Sequence, residues 1–180
     1  MPTRVTVRKA HGFALIDLIF VCGVIGILVS IAMPSLFTAK QAASASSAIG
    51  SMRALNSAEL TYALTCGSGF YAPSLSRLGT LPPGSNASFI GGGLGSADVV
   101  TKSAYIIQLT ATAFPGAPAS CNGAAAGADG QGFKAAADPN QVQNLRFLAT
   151  NANNVIYEHT STLWAVMPEV GEPPVGHVLR

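Results

Sequence analysis

The chain has 180 residues, of which 10 are Lys or Arg and 8 are Asp or Glu, so its formal net charge is +2. Charged residues make up 10% of the chain, against about 25% in an average soluble domain, while 49% of the residues are hydrophobic. This length argues against a multidomain enzyme, and the shortage of charge indicates that part of the chain contacts lipid.

The basic residues are not clustered on the part of the chain that follows the N-terminus. Arg4, Arg8 and Lys9 precede the first apolar stretch. The others are scattered singly, at Lys40, Arg53, Arg77, Lys102, Lys134, Arg146 and Arg180. A nucleic-acid interface needs Lys and Arg side chains grouped on the folded part of a protein. We therefore predict no nucleic-acid partner.

The first predicted element is an apolar helix from Phe13 to Phe37, in which Asp17 is the single charged residue. At 1.5 Å per residue this helix would be about 37 Å long, enough to cross a hydrocarbon core of about 30 Å. Because the basic residues precede it, the positive-inside rule places the N-terminus in the cytoplasm and the rest of the chain outside. We expect the lipid bilayer to be a partner of this segment.

Three ordinary interpretations of this apolar stretch compete. A cleavable signal peptide has a shorter core and a small-residue cleavage site, but the candidate sites near Ser30 and Ala32 have no clean break after them. A lipoprotein signal needs a small residue before the acylated cysteine, whereas Val21 precedes Cys22. A plain membrane anchor leaves Asp17 unexplained, because a lone carboxylate in a spanning helix costs a few kcal/mol.

Asp17 therefore needs a positively charged partner. No Lys, Arg or His occurs between Phe13 and Thr38, so the helix itself supplies none. The candidate partner is a new α-amino group, created by a cut between Gly12 and Phe13 and donated by a neighbouring copy of the chain.

The segment from Lys9 to Leu18, KAHGFALIDL, resembles the prepilin N-terminal motif of type IV pilins and type II secretion pseudopilins. In that motif a basic leader ends in Gly, the mature chain begins with Phe, and the fifth mature residue is acidic. Gly12, Phe13 and Asp17 match these three features, although the family usually has Glu at the acidic position. Pro34 matches a proline that commonly bends the membrane helix in this family.

The resemblance implies a structural filament subunit and not an enzyme. A prepilin peptidase would cut between Gly12 and Phe13 and methylate the Phe13 amine, and an inner-membrane assembly platform would add the subunit to copies of itself and to related pilin-like subunits. Asp17 would set the assembly register, and Pro34 would produce the helix kink. The alternative function is that of a type II secretion pseudopilin. A membrane-tethered binding domain that does not polymerise is a further alternative.

The expected precursor is a single-pass protein of the bacterial inner membrane, with a cytoplasmic N-terminus and a periplasmic head. The assembled filament would lie in the periplasm or at the cell surface. The expected divisions are a leader at 1–12, a transmembrane and assembly half of the helix at 13–37, an amphipathic half at 38–64, and a globular head at 65–180. The predicted fold class is α+β. The resemblance implies a type IV pilin-like fold, in which the long helix packs on a small antiparallel β-sheet.

The helical pattern continues from Lys40 to Leu64, where there is no Pro and one Gly. Apolar side chains recur here at the helical period and form one stripe, at Ala45, Ala48, Ile49, Met52, Leu55, Leu60 and Ala63. Glu59 falls within the stripe. We predict that it lies at the rim of the buried face, with a specific contact to another subunit as the alternative.

Beyond Leu64 the chain contains turns and short strands. We predict one helical turn at Leu75–Leu78 and a hairpin turn at Asn151–Asn154, where Asn tolerates left-handed backbone geometry. Strands are predicted at Ala104–Phe114, Leu145–Thr150, Val155–Glu158 and Leu163–Met167. The Ala/Gly-rich segment from Pro115 to Pro139 is predicted as a surface loop, and the tail from Pro168 as extended.

The cysteines predict one disulfide. Cys66 and Cys121 both lie in the exported part, where oxidation is favoured. Their bridge would stabilise the head by about 4 kcal/mol through the loop that it closes, and the alternative is two free thiols. Cys22 is predicted to be a small apolar filler of the membrane helix.

No catalytic or metal-binding motif is present in the sequence. The glycines at Gly91–Gly95 lack the Lys and Ser/Thr of a phosphate loop, and no nucleophile elbow occurs. Asp129, Asp138 and Asn140 lie where some pseudopilins hold calcium, but two carboxylates are few ligands for a hard cation. We therefore predict no cofactor and no metal site.

Overall fold

The computed structural model describes residues 15–141 and 144–179. The chain divides into two compact units, Met1–Lys40 and Gln41–Arg180. A long helix, α1 (Leu15–Thr65), contributes residues to both units. The predicted helix is thus confirmed over its described part, and its end differs from the predicted one by a single residue. Phe13 lies outside the described residues.

The helix α1 ends where the backbone turns into the left-handed region. Ser68 has a φ of 52° and Gly69 a φ of 94°. The N–H of Gly69 donates to the carbonyl of Ala63, and the N–H of Gly67 donates to the carbonyl of Tyr62, each at 2.8 Å. These bonds satisfy carbonyls that the last helical turn leaves unpaired, so the termination is encoded locally.

In the second unit, α1 buries one face against the sheet. Five members of the predicted stripe are buried, Ala45, Ala48, Met52, Leu55 and Ala63. Two predictions for this face are wrong, because Leu60 is 45% exposed and Glu59 is completely buried. At 3.6 residues per turn, Glu59 lies about 20° from Met52 around the helix and Leu60 about 80°. The buried face extends from Met52 toward Leu55, on the side away from Leu60.

A short helix, α2 (Leu75–Gly79), confirms the predicted helical turn. The hydroxyl of Ser74 accepts a hydrogen bond from the Arg77 N–H at 3.4 Å and caps its N-terminus. Both leucines of α2, Leu75 and Leu78, are completely buried, so the cap orients a turn that packs into the core.

The second unit contains one six-stranded antiparallel sheet, whose strands follow chain order. The strands are β1 (Val99–Lys102), β2 (Tyr105–Thr110), β3 (Lys134–Pro139), β4 (Phe147–Asn151), β5 (Ile156–His159) and β6 (His177–Val178). Each strand pairs with its neighbour in sequence, so the sheet is a meander. The predicted strands that correspond to β2, β4 and β5 are confirmed, although β2 is shorter than predicted.

The central strand β3 lies in the segment that was predicted as an Ala/Gly-rich surface loop, so that prediction is wrong for this part. Its three alanines, Ala135, Ala136 and Ala137, are completely buried. Ala137 stands opposite Ile107 on β2 and opposite Leu148 on β4. Small side chains beside large ones fill the layer without overcrowding, which explains how a strand of weak hydrophobicity occupies the middle of the sheet.

The two faces of the sheet pack against different parts of the chain. On the inner face Ile107, Leu148 and Ile156 join the core that includes α1. On the outer face Ala136, Ala149 and Tyr157 pack against Leu163 and Met167.

The segment Leu163–Met167 was predicted as a strand, and the structure shows turns there instead. The N–H of Met167 donates to the carbonyl of Leu163 at 2.8 Å, a spacing of four residues that is typical of a helical turn. Because the two apolar side chains are four residues apart, one turn is enough to bury both against the outer face of the sheet.

The predicted turn at Asn151–Asn154 joins β4 to β5 and is confirmed. Asn154 has a φ of 60°, and its N–H donates to the Asn151 carbonyl at 2.9 Å. We expect Asn154→Ala to lower the free energy of unfolding by about 1 kcal/mol, because alanine lacks the short polar side chain whose local hydrogen bonding lets Asn adopt the left-handed region. Asn154→Gly should have no such effect, because glycine adopts this region without strain. Urea unfolding followed by the fluorescence of Trp164 measures both, and equal losses would contradict the expectation.

Candidate functional site

The described part of the first unit is a single apolar helical segment. Every residue from Leu15 to Lys40 is exposed. Leu15 is 78% exposed and Ile31 is 72% exposed. Exposure of such large apolar side chains to water is energetically unfavourable. The helix α1 is long and apolar enough to cross a membrane, which fits a single-pass membrane protein.

The hydroxyl groups of this segment are satisfied within the helix. The side chain of Ser30 donates to the Ile27 carbonyl at 2.8 Å, and that of Ser35 donates to the Ala32 carbonyl at 2.8 Å. Thr38 donates to a carbonyl one turn earlier in the same way. An unsatisfied hydroxyl in hydrocarbon is unfavourable, so these bonds make the segment compatible with lipid.

Asp17 lies in the first turn of α1 and is exposed. Among the described residues, no hydrogen-bond donor or cation contacts its carboxylate. The N-terminus of a helix carries a partial positive charge, which favours a carboxylate at this position but does not neutralise it. The residues predicted to supply the partner, Gly12 and Phe13, lie outside the described residues.

Two further predicted positions lie on the same segment. Pro34 is inside α1, and because proline has no N–H it removes one helical hydrogen bond. The predicted kink there stays a prediction. Cys22 is a free, exposed cysteine among apolar neighbours, as a filler of a membrane helix would be.

The structure contains the predicted disulfide between Cys66 and Cys121, whose Cα atoms are 4.9 Å apart. It connects the residue after the end of α1 to the long segment between β2 and β3. Beside it, the N–H of Cys121 donates to the Cys66 carbonyl at 3.3 Å. Gly130 anchors the same segment by exchanging two backbone hydrogen bonds with Tyr71, at 2.8 and 3.0 Å. The segment is therefore held both covalently and by backbone pairing.

A cluster of three ionisable side chains lies completely buried near this disulfide. Glu59 Oε2 accepts a hydrogen bond from the Ala72 N–H at 3.0 Å, and Asp129 Oδ2 accepts one from the Tyr62 hydroxyl at 2.9 Å. Among the described residues, the second oxygen of each carboxylate, Glu59 Oε1 and Asp129 Oδ1, has no hydrogen-bond partner. The cluster fastens α1 to the segments that follow it, but it leaves two acceptors unsatisfied.

Burial disfavours the charged form of all three groups. Burial raises the pKa of Glu59 well above its ordinary value, and the nearby charge of Asp129 adds to the effect. Burial also raises the pKa of Asp129, although the hydrogen bond from Tyr62 opposes the change. The pKa of Tyr62 is raised by burial as well. A proton on either carboxyl would relieve the repulsion between the two.

This arrangement predicts that the second unit loses stability as the pH rises. The pKa of Glu59 is higher in the folded state than in the unfolded state, so above about pH 4.5 the unfolded state binds fewer protons than the folded one. The free energy of unfolding should fall with pH, by at most about 1.4 kcal/mol per pH unit for one proton, until the folded pKa is passed.

The test compares Glu59→Gln with the wild type by urea unfolding across a pH series. Gln can still accept the Ala72 N–H but does not ionise, so its unfolding free energy should depend less on pH. Glu172→Gln is the matched control, since Glu172 is exposed and should give the wild-type slope. Identical slopes in the wild type and Glu59→Gln would contradict the expectation.

The carboxylates considered for calcium do not converge. Asp129 is bonded to Tyr62, whereas Asp138 is on β3 and accepts a hydrogen bond from Thr162 at 2.6 Å. In the described ranges, no three His, Cys, Asp or Glu side chains are grouped as metal ligands. Sequence reasoning missed the burial of Glu59 near Asp129. The available signal was the position of Glu59 within the apolar stripe, which pointed to burial.

No family model, curated protein or solved structure matches the chain.

Proposed function

We propose that this chain is the structural subunit of a type IV pilus-like filament. It is made as a single-pass membrane precursor, cleaved after Gly12, and assembled through α1. The observation that carries the proposal is Asp17, a carboxylate without a partner among the described residues. It lies on the exposed apolar part of α1, four residues after a Gly-Phe junction.

An ionised carboxylate in hydrocarbon requires a cation, and cleavage after Gly12 would create one at the amine of Phe13. Pairing Asp17 with the Phe13 amine of a neighbouring copy would satisfy both charges. A buried ion pair of this kind adds little net stability, but leaving either charge unpaired is costly. Wrong axial offsets between two copies would separate the charges, so the pair would select one register.

The exposed apolar side chains support assembly by exchange of one apolar environment for another. Lipid-facing residues such as Leu15, Ile19 and Ile27 would find equivalent contacts among the helices of neighbouring copies. Because lipid and the helix bundle are similarly apolar, the transfer of α1 from one to the other needs little free energy. Helix packing and hydrogen bonding then determine whether the lipid-bound or the assembled state is favoured. The satisfied hydroxyls of Ser30 and Ser35 require no partner in either environment.

The disulfide of the second unit supports a location of this unit outside the cytoplasm. Its disulfide between Cys66 and Cys121 would persist in an oxidising compartment such as the periplasm. A covalently fastened head would remain folded when the subunit leaves the membrane.

The direct test is the intact mass and N-terminal sequence of the protein extracted from membranes of its own host. We expect a chain that starts at Phe13, with or without one added methyl group. In the matched variant Gly12→Val, the junction is blocked, and we expect the chain to keep Arg4, Arg8 and Lys9 and to form no filaments. A wild-type chain that retains these basic residues, or one that starts beyond Ala32, would overturn the proposal.

A further inference from the structure

A groove of about 530 Å³ lies in the second unit, between α1 and the β5–β6 edge of the sheet. The helix contributes Arg53, Asn56 and Leu60 to it, and the sheet edge contributes Val155 and Val178. Leu60 is 45% exposed and Val178 is 46% exposed, so the groove presents uncovered apolar surface beside polar groups.

The α1 side of the groove presents a cation. The guanidinium of Arg53 contacts no carboxylate or acceptor in the described part of the chain. The neighbouring Asn56 side chain is hydrogen-bonded to the Thr150 hydroxyl at 3.0 Å. No Asp or Glu lines the groove. An apolar segment that carries one carboxylate would complement it.

The chain itself contains such a segment, Val170–Val175, here called the Glu172 strap. Val170 is 61% exposed and Val175 is 43% exposed. Glu172 is the one carboxylate in the described part of the second unit that has neither a hydrogen-bond donor nor a cation as partner. Pro173 and Pro174 favour an extended backbone, so little conformational entropy would be lost when the strap binds.

Within one chain the strap and the groove belong to opposite faces of the sheet. The strap lies near Tyr157, whose pKa is raised by burial and further by the charge of Glu172, and Tyr157 belongs to the outer face. The groove is lined by Ile156, which faces α1. In the structure Glu172 and Arg53 of the same chain form no ion pair.

We infer that the groove of one copy binds the Glu172 strap of a second copy, with Glu172 paired to Arg53 and the valines of the strap against Leu60 and Val178. Since the two surfaces differ, the contact is heterologous and continues from copy to copy. The inference rests on the proposed function, because it takes a neighbouring subunit of the filament as the partner. The Glu172–Arg53 ion pair would make the contact specific, and the apolar contacts would stabilise it.

The test uses the full chain in membranes of its host, with a photoreactive benzophenone amino acid in place of Leu60. A tagged and an untagged copy of the chain are co-expressed, so that a linked pair is recognised as two chains. We expect mass spectrometry to find Leu60 of one copy linked to the Glu172 strap of the other. The same probe at Thr61, which is exposed but does not line the groove, is the matched control and should not reach the strap.

Charge reversal tests the ion pair in the same experiment. Arg53→Glu and Glu172→Arg should each reduce the linked product by about fivefold, and the double variant should restore it. Links from the Leu60 position only to another protein, or to a region outside the strap, would overturn the inference. So would single reversals that leave the yield of linked product unchanged.

The N-terminal mass of the same samples separates the two proposals. A chain that starts at Phe13 without any strap link would refute the groove contact and leave the filament proposal standing. A chain that retains Arg4 to Lys9 would refute the filament proposal, and a strap link in that sample would still support contact between copies.

Discussion

Replacing Asp17 with Asn is expected to reduce filament yield by about a hundredfold, because removing one partner of a buried ion pair costs about 3–5 kcal/mol. The amide keeps the size and polarity of the side chain but cannot neutralise the Phe13 amine of a neighbouring copy. The cut after Gly12 should be unaffected, since the substitution leaves the junction itself unchanged. Filaments sheared from cells are quantified by mass, and processing is read from the N-terminus of the membrane-bound pool.

Two variants make this result specific. Asp17→Glu keeps the charge and should restore most of the yield, whereas Cys22→Ser changes a side chain on the same helix without touching the charge. Cys22 is exposed and has no disulfide partner, so its substitution should leave the yield as in the wild type. Wild-type filament yield from correctly processed Asp17→Asn chains would show that the carboxylate does not set the register.

Loss of the Cys66–Cys121 disulfide should lower the free energy of unfolding by about 4 kcal/mol, the loop-closure entropy expected for a separation of 55 residues. Without the bond, the unfolded chain gains conformations while the folded state keeps its backbone pairing at Gly130. We expect Cys66→Ser, Cys121→Ser and the double variant to show the same loss. Urea unfolding of the full chain in detergent, followed by the fluorescence of the single tryptophan, Trp164, provides the measurement.

The same titration on Cys22→Ser provides the matched control, because it removes a thiol that forms no bridge. A reducing agent should shift the wild type to the stability of the serine variants and leave those variants unchanged. Serine variants as stable as the wild type in the absence of reductant would mean that the loop is held by its backbone contacts alone.

The elements with strong local signals were predicted from the sequence. The helix α1 follows from a long stretch without internal breaks other than Pro34, and its end follows from the glycines at Gly67 and Gly69. Asn154 predicted the β4–β5 turn because few residues other than glycine tolerate its backbone geometry. In each case a few neighbouring residues determine the conformation.

The elements that depend on distant partners were not predicted. The alanines of β3 have little hydrophobic signal, and they form a central strand because Ile107 and Leu148 lie on either side. Conversely, Leu163 and Met167 have a strong apolar signal, which favoured a strand. In the structure one helical turn buries both side chains against the outer face of the sheet. The strand β6 is only two residues long, too short for any periodic pattern.

The same division applies to the candidate site. The positions of Asp17 and of the disulfide cysteines follow from spacing and charge along the chain. The burial of Glu59 beside Asp129 depends on how the segment between β2 and β3 folds back onto α1. The sequence places these two carboxylates far apart, and only the tertiary fold brings them together.

The strand order of the sheet has a mechanical consequence for a subunit under tension. A pull on the C-terminal end would peel β6 from β5 and then β5 from β4, because each strand is bonded only to its neighbours in sequence. Peeling could not extend the chain between Cys66 and Cys121, which the disulfide closes into a covalent ring. At about 3.4 Å per residue, that ring withholds roughly 180 Å of chain from extension. Strands β1 and β2 lie inside the ring, so a stretched head would lengthen only beyond Cys121.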